Sequence, residues 1–120
     1  TIPDPYFGYP ALIWKQNRYA PNLDGTVPVD PGKYVLRLLI CELYFDGPAG
    51  NGGAGSRVFD IEVMGEIVER GVDPYADYGY KVPFIKQYPV LKPVGGNITF
   101  DVIASANNAI LNGVEILKIK

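Results

Sequence analysis

Apolar positions along this chain come in short runs, alternating or continuous, and nowhere at convincing helical spacing. From Val58 to Met64 they alternate, with Phe59, Ile61 and Val63 on one face and Asp60 and Glu62 on the other, which predicts a half-buried antiparallel strand. Ile98–Ala104 repeats the pattern, with Ile98, Phe100 and Val102 inward. Between Tyr34 and Phe45 neither face is polar: Tyr34, Leu36, Leu38 and Ile40 lie on one, and Val35, Leu39, Cys41 and Leu43 on the other. That predicts a central strand covered on both sides, and its β-branched and aromatic residues argue against a helix. Arg37 and Glu42 interrupt the run and need partners if buried.

Turn signals separate these runs. Asn22-Leu23-Asp24-Gly25 reads as a turn before a short β-prone piece at Thr26–Val29, and Asp30-Pro31-Gly32 as a second turn. Asp46–Ser56, rich in glycine, is a long loop, read as a flexible lid or rim. Ile67-Val68 opens a strand and residues 71–81 form a Tyr-rich loop. Val82–Leu91, broken by Pro83 and Pro89, belongs at a sheet edge, Asn107-Asn108 is a loop, and Val114–Ile119 is the last strand. Residues 1–13, with three prolines and no periodicity, read as an irregular arm with at most one short edge strand, and 14–120 as the folded domain. Seven or eight short strands in one domain predict an all-β sandwich.

Composition narrows the chemistry mainly by exclusion. With no histidine, Ser-His, Cys-His and His-ligated metal sites are ruled out. The lone cysteine, Cys41, lies inside the apolar run and reads as a small buried hydrophobe. The net charge of −2 and the scattered basic residues offer no stripe for nucleic acid, and no apolar run reaches membrane-spanning length. The chain starts at Thr1, so it is expected to be a processed chain or a piece of a longer one. Nine tyrosines exceed what a core of this size requires, which points to a binding surface.

Few acids are placed for catalysis. Glu42 with Asp46, or Asp73 with Asp77, could in principle face one another, but Glu42 reads as a buried, paired structural residue and the others as solvated loop acids. Asp73 and Asp77 with nearby carbonyls are also the only calcium candidates, and no other cofactor is expected. The glycine loop lacks the Lys-Ser/Thr ending of a phosphate loop and leads into a strand. Asn97-Ile98-Thr99 matches the glycosylation acceptor pattern. What remains is aromatics and amides of the kind that stack on sugar C–H faces and bond hydroxyls: Trp14, Tyr19, Tyr44, Phe45, Asn107 and Asn108. From composition alone each could equally be core or turn.

The order of several segments adds to this reading: NRYA before a short strand, PGKYVLRLLICELYFD, GSRVFDIEVMGEIV, GVDPYA and NNAILNGVEI. Together, over roughly residues 14–119, they resemble the malectin and malectin-like carbohydrate-binding domains. The resemblance implies a jelly-roll-like, galactose-binding-like antiparallel β-sandwich that holds carbohydrate without catalysis. It also implies a setting outside the cell or in the secretory lumen, with a glycan or glycoprotein as partner. By position, Tyr19 matches the aromatic after the family's Arg, Tyr44 and Phe45 its Tyr-Phe pair, and Asn107 the place of its aspartate; Arg18 is a further hydrogen-bonding candidate. The resemblance makes Tyr44 and Phe45 a platform for sugar. The family's first strand, and a tyrosine-bearing loop after it, have no counterpart in residues 1–13. They are expected to have been cleaved, to lie in another chain, or to be supplied by a neighbour through strand addition. The rival reading is a structural or adhesive module of a larger extracellular assembly, meeting protein through the same surface.

Overall fold

The computed structural model describes residues 8–90, 93 and 95–120. Nine strands and two single helical turns follow in order: α1 (Ala11–Trp14), β1 (Arg18–Ala20), β2 (Asn22–Pro28), β3 (Lys33–Ile40), β4 (Val58–Val63), β5 (Glu66–Val72), α2 (Pro74–Asp77), β6 (Phe84–Val90), β7 (Asn97–Ala106), β8 (Ala109–Leu111) and β9 (Gly113–Ile119). They form an antiparallel four-stranded sheet, β2-β7-β4-β5, facing a three-stranded one, β6-β3-β9, with a two-stranded ribbon of β1 and β8. The all-β sandwich expected from the strand pattern is the fold.

β3 is the middle strand of its sheet. Tyr34, Leu36, Leu38 and Ile40 turn inward onto Phe59, Ile61 and Val63 of β4 and Ile98, Phe100 and Val102 of β7, forming the main core. Each such side chain fully buried contributes about 1.5–3 kcal/mol. The opposite face is covered near its end by a second cluster, in which Leu39 and Cys41 pack with Trp14 and Ile13 of the N-terminal segment. β6 lies at an edge, where its Pro89 disturbs no interior ladder.

Three local expectations are corrected. β3 ends at Ile40 and does not reach Phe45. At Cys41 the backbone N–H is taken by the side-chain oxygen of Asn112 (2.8 Å), and the Asn112 backbone N–H donates to the Leu39 carbonyl (2.8 Å), so the chain leaves the sheet there. Asn22–Gly25 is not a turn but the first half of β2, paired with β7. Its glycine makes room for packing: a Cβ on Gly25 would lie 2.5 Å from the Phe100 ring. The Tyr-rich loop is shorter than 71–81, because β5 runs to a buried Val72 and α2 follows, with Pro74 in its first turn and Asp73 capping it through the Ala76 N–H.

Part of the expected arm lies outside the described residues, namely 1–7. Its remainder makes the turn α1, whose Trp14 enters the second cluster, while the Tyr9 hydroxyl donates to Glu115. The glycine loop forms a rim held at several points. Gly47 and Gly52 exchange two backbone hydrogen bonds (2.7 and 3.0 Å) at φ values of +129° and +138°, which favour glycine. The Asn51 amide donates to the Tyr44 carbonyl and Gly55 N–H to Asp73.

Candidate functional site

The turn that follows β3 is built on one carboxylate. Glu42 is fully buried, and its Oε2 accepts the backbone N–H groups of Tyr44 (3.2 Å) and Phe45 (3.3 Å). Arg57, also buried and just before β4, donates from Nε to Oε1 (2.7 Å) and from Nη2 to Oε2 (3.3 Å). A buried charge of either sign alone would be costly; paired and bonded this way both are tolerated. Arg57 Nη1 then donates to the Asn108 carbonyl (2.5 Å), and the guanidinium lies 4.9 Å from the centre of the Phe45 ring. One ion pair thereby ties the 42–45 turn, the end of the glycine loop and the β7–β8 turn together.

Above this pair opens a cleft of about 460 Å³. One wall is the β1–β8 ribbon, where strand alternation turns Tyr19 and its register partner Ile110 towards the cleft. The other wall carries Leu43 and Tyr44, with Asn17, Arg57, Asn107 and Asn108 completing the lining. Tyr19 is 70% exposed and Tyr44 57%, which leaves their rings open to a ligand. Asn107 has a left-handed backbone (φ 59°), a conformation asparagine tolerates, and its Oδ1 accepts the Asn108 N–H (2.9 Å), so its amide nitrogen is the free end. Asn17 is the converse: its amide nitrogen donates to the Cys41 carbonyl (3.2 Å), leaving Oδ1 as an acceptor. The cleft is lined by aromatics and amides over a neutralised ion pair, and no carboxylate is among the lining residues.

Four of the seven predicted residues, Tyr19, Tyr44, Asn107 and Asn108, meet at this cleft. The other three lie elsewhere. Phe45 is 5% exposed; its ring meets Tyr44 edge-on (5.0 Å, 80°) and packs under the Arg57 guanidinium, so it supports the floor and is no platform. Trp14 is 0% exposed, held in the second core cluster and edge-on to Tyr9 (6.0 Å). Arg18 points to the opposite face of the ribbon from Tyr19, into a separate groove. Asn17, Leu43, Arg57 and Ile110 belong to the cleft without having been singled out. Arg57 alone carried a signal, as the one basic residue between Arg37 and Glu69 available to a buried Glu42.

The acids considered for chemistry are engaged in structure. Asp46 accepts the Asn51 N–H (2.8 Å); Asp73 accepts from Gly55 and Ala76, and Asp77 from the Asp73 N–H (3.0 Å). Among the described residues no three acidic or Cys side chains group as a metal site. Burial, with Glu42 beside it, pushes the Cys41 thiol up to about 11, so it stays protonated at neutral pH.

Solved structures share this fold. The extracellular domain of ANXUR1 from Arabidopsis thaliana superposes with a TM-score of 0.78 at 23% identity, covering 92% of this chain and 33% of that one. The ANXUR2 extracellular domain from the same plant gives 0.69 at 22%, covering 92% and 30%. A β-glucuronidase from Bacteroides uniformis gives 0.66 at 21%, covering 81% of this chain and 11% of that one. This chain thus spans about a tenth of the glucuronidase and about a third of the receptor ectodomains. Among curated proteins none matches its sequence. Among the described residues no helix is long and apolar enough to cross a membrane. The family profile described as Malectin domain matches residues 6–117, and the chain belongs to that family.

Proposed function

We propose that this domain is a non-catalytic carbohydrate-binding module, working outside the cell or in the secretory lumen, that holds a glycan in the cleft between Tyr19 and Tyr44. The observation that carries the reading is the pair of exposed tyrosines standing over a cleft whose remaining polar groups are mostly amides. Tyrosine rings receive the C–H face of a sugar, and the free ends of Asn17, Asn107 and Asn108 supply an acceptor and donors for hydroxyls. Membership of the malectin family supports the same reading. So does the engagement of Glu42, Asp46, Asp73 and Asp77 in backbone and ion-pair bonds, which leaves none of these four as a free carboxyl facing another across the cleft.

With two aromatic contacts of about 1 kcal/mol each, affinity for a small glycan falls between micromolar and millimolar. A glycan array on the isolated domain tests the function. Tyr44→Ala tests the site: it weakens binding about fivefold, equivalent to about 1 kcal/mol, and leaves the melting temperature near that of the parent because the ring is exposed. Unchanged binding by this variant places the glycan elsewhere.

A further inference from the structure

The β1–β8 ribbon has two faces, and the cleft uses one of them. Alternation sends the next register pair, Arg18 and Leu111, the other way. On that side runs a second groove of about 390 Å³, reaching β2 and the start of β9. Like the cleft, it falls within the range of about 300–1,000 Å³ typical of small-molecule sites. Its floor is apolar, formed by Leu23, Phe100 and Leu111. Its rim carries Gln16 and Arg18, and among the described residues neither side chain makes a hydrogen bond or an ion pair; Asp24 borders the groove from β2, where alternation turns its carboxylate to the outer sheet face, away from Leu23. Among the described residues Arg18 has no carboxylate partner, in contrast to Arg57 on the far side of the ribbon. The two hollows meet at Asn17, which lines both. Its fixed amide nitrogen leaves Oδ1 as an acceptor at the junction.

We infer that this groove is a second carbohydrate subsite, continuous with the cleft through Asn17, so that the module reads an oligosaccharide that passes the end of the ribbon. The inference rests on the carbohydrate reading of the cleft. A guanidinium can donate to two neighbouring hydroxyls, so Arg18 beside the Gln16 amide over an apolar floor matches the alternation of hydroxyls and C–H surface along a sugar chain. A polyanion fits poorly. Asp24, Asp101 of β7 and Glu62 of β4 stand in register on the outer face of the neighbouring sheet, and the field of this row of three acids opposes a polyanion approaching past β2.

Titration calorimetry separates the two sites. The whole chain is titrated with maltose, cellobiose, mannobiose and chitobiose, and with the hexasaccharide of each series. The expected result is a series whose hexasaccharide binds at least tenfold tighter than its disaccharide. Arg18→Ala then lowers hexasaccharide affinity about tenfold or more, the size expected for a lost charge-assisted hydrogen bond, and leaves disaccharide affinity unchanged, whereas Tyr44→Ala weakens both. Equal binding of disaccharide and hexasaccharide, or an Arg18→Ala chain that binds hexasaccharide like the parent, overturns the second subsite and leaves the cleft standing. Binding of no member of any series overturns the carbohydrate reading itself, and the subsite with it.

Discussion

Two glutamate ion pairs, one with arginine and one with lysine, sit in different parts of the sandwich and do different work. At the cleft, Glu42 and Arg57 are buried, with side chains 1% and 7% exposed, and their remaining bonds go to loop backbone and the Phe45 face. At the open side of the sandwich, Glu69 of β5 pairs with Lys86 of β6 (2.8 Å), Tyr88 donates to the same carboxylate (2.7 Å), and the Lys86 ammonium lies over the Tyr78 ring (5.6 Å). That second pair joins the edges of two sheets whose core is already formed, and solvent reaches it. The first pair holds three irregular segments that have few other reasons to adopt one geometry. A carboxylate paired with a cation therefore positions a candidate site in one place and fastens a seam in the other, with burial and the forked geometry of the arginine marking the first.

Breaking the buried pair gives the largest expected effect. Arg57→Ala leaves the Glu42 carboxylate buried without its cation and costs about 3–5 kcal/mol, measurable by chemical denaturation at pH 7. Replacing both partners by apolar residues of similar volume, Glu42→Leu with Arg57→Met, costs less than Arg57→Ala alone, because no orphan charge remains. On the proposed carbohydrate function, glycan affinity behaves in the opposite way: the double variant regains stability but loses binding, since the N–H groups of Tyr44 and Phe45 and the Asn108 carbonyl lose their common anchor. A double variant that binds like the parent would show that the pair fastens the fold and positions nothing.

The fold around these pairs was legible in the sequence, the pairs themselves only in Glu42. The alternation at Phe59–Val63 and Ile98–Val102 and the two-sided run at Tyr34–Ile40 were enough for an all-β sandwich with β3 at its centre, because period and burial are local signals. The need of a buried Glu42 for a partner was equally legible. What could not be read were features set by distant residues. Gly25 looks like a turn glycine until Phe100 is seen beside it. The Tyr44–Phe45 pair looks like one platform until Glu42 folds the turn, which leaves Tyr44 outside and Phe45 beneath Arg57. Trp14 looks like a loop aromatic until α1 brings it onto Leu39 and Cys41. Asn17 differs in no local respect from the many other asparagines.

The seam pair sharpens the comparison through pH. The hydrogen bond from Lys86, with Tyr88 adding to it, holds the Glu69 carboxyl below its ordinary value of 4.5 against the opposing effect of burial. A carboxyl whose folded value is depressed gives stability that is present above its unfolded value and is lost as pH falls through the folded one. With about a third of the Glu69 side chain exposed, solvent limits the contribution to at most about 1 kcal/mol. Glu69→Gln is therefore slightly less stable than the parent at pH 7, and the difference disappears on acidification below 4.5. Thermal melts of both chains from neutral to strongly acidic pH measure it. A difference that persisted in strong acid would show Glu69 acting by packing and not by charge.

A third carboxylate, with no cation paired to it among the described residues, completes the series and gives the smallest effect. Asp101 on the outer face of β7 stands between Asp24 and Glu62 in register. Burial and then the Asp24 charge raise its carboxyl above the ordinary value, opposed by the hydrogen bond from Asn22. The sign is the reverse of that at Glu69: a carboxyl with a raised folded value weakens the fold above its ordinary range, and the penalty is relieved as pH falls through the folded value. Asp101→Asn keeps an oxygen for Asn22 and removes the like charge. It therefore adds a few tenths of a kcal/mol at pH 7, within the range for cross-strand charge pairs once solvent screening is allowed for. The gain shrinks in acid, where the parent carboxyl is protonated, and in molar salt, where an exposed like-charge repulsion is screened. Denaturant midpoints of the two chains at neutral and acid pH measure it, and a gain that survived both acid and salt would mean that the amide improves packing on the sheet face and that the unpaired charge costs nothing.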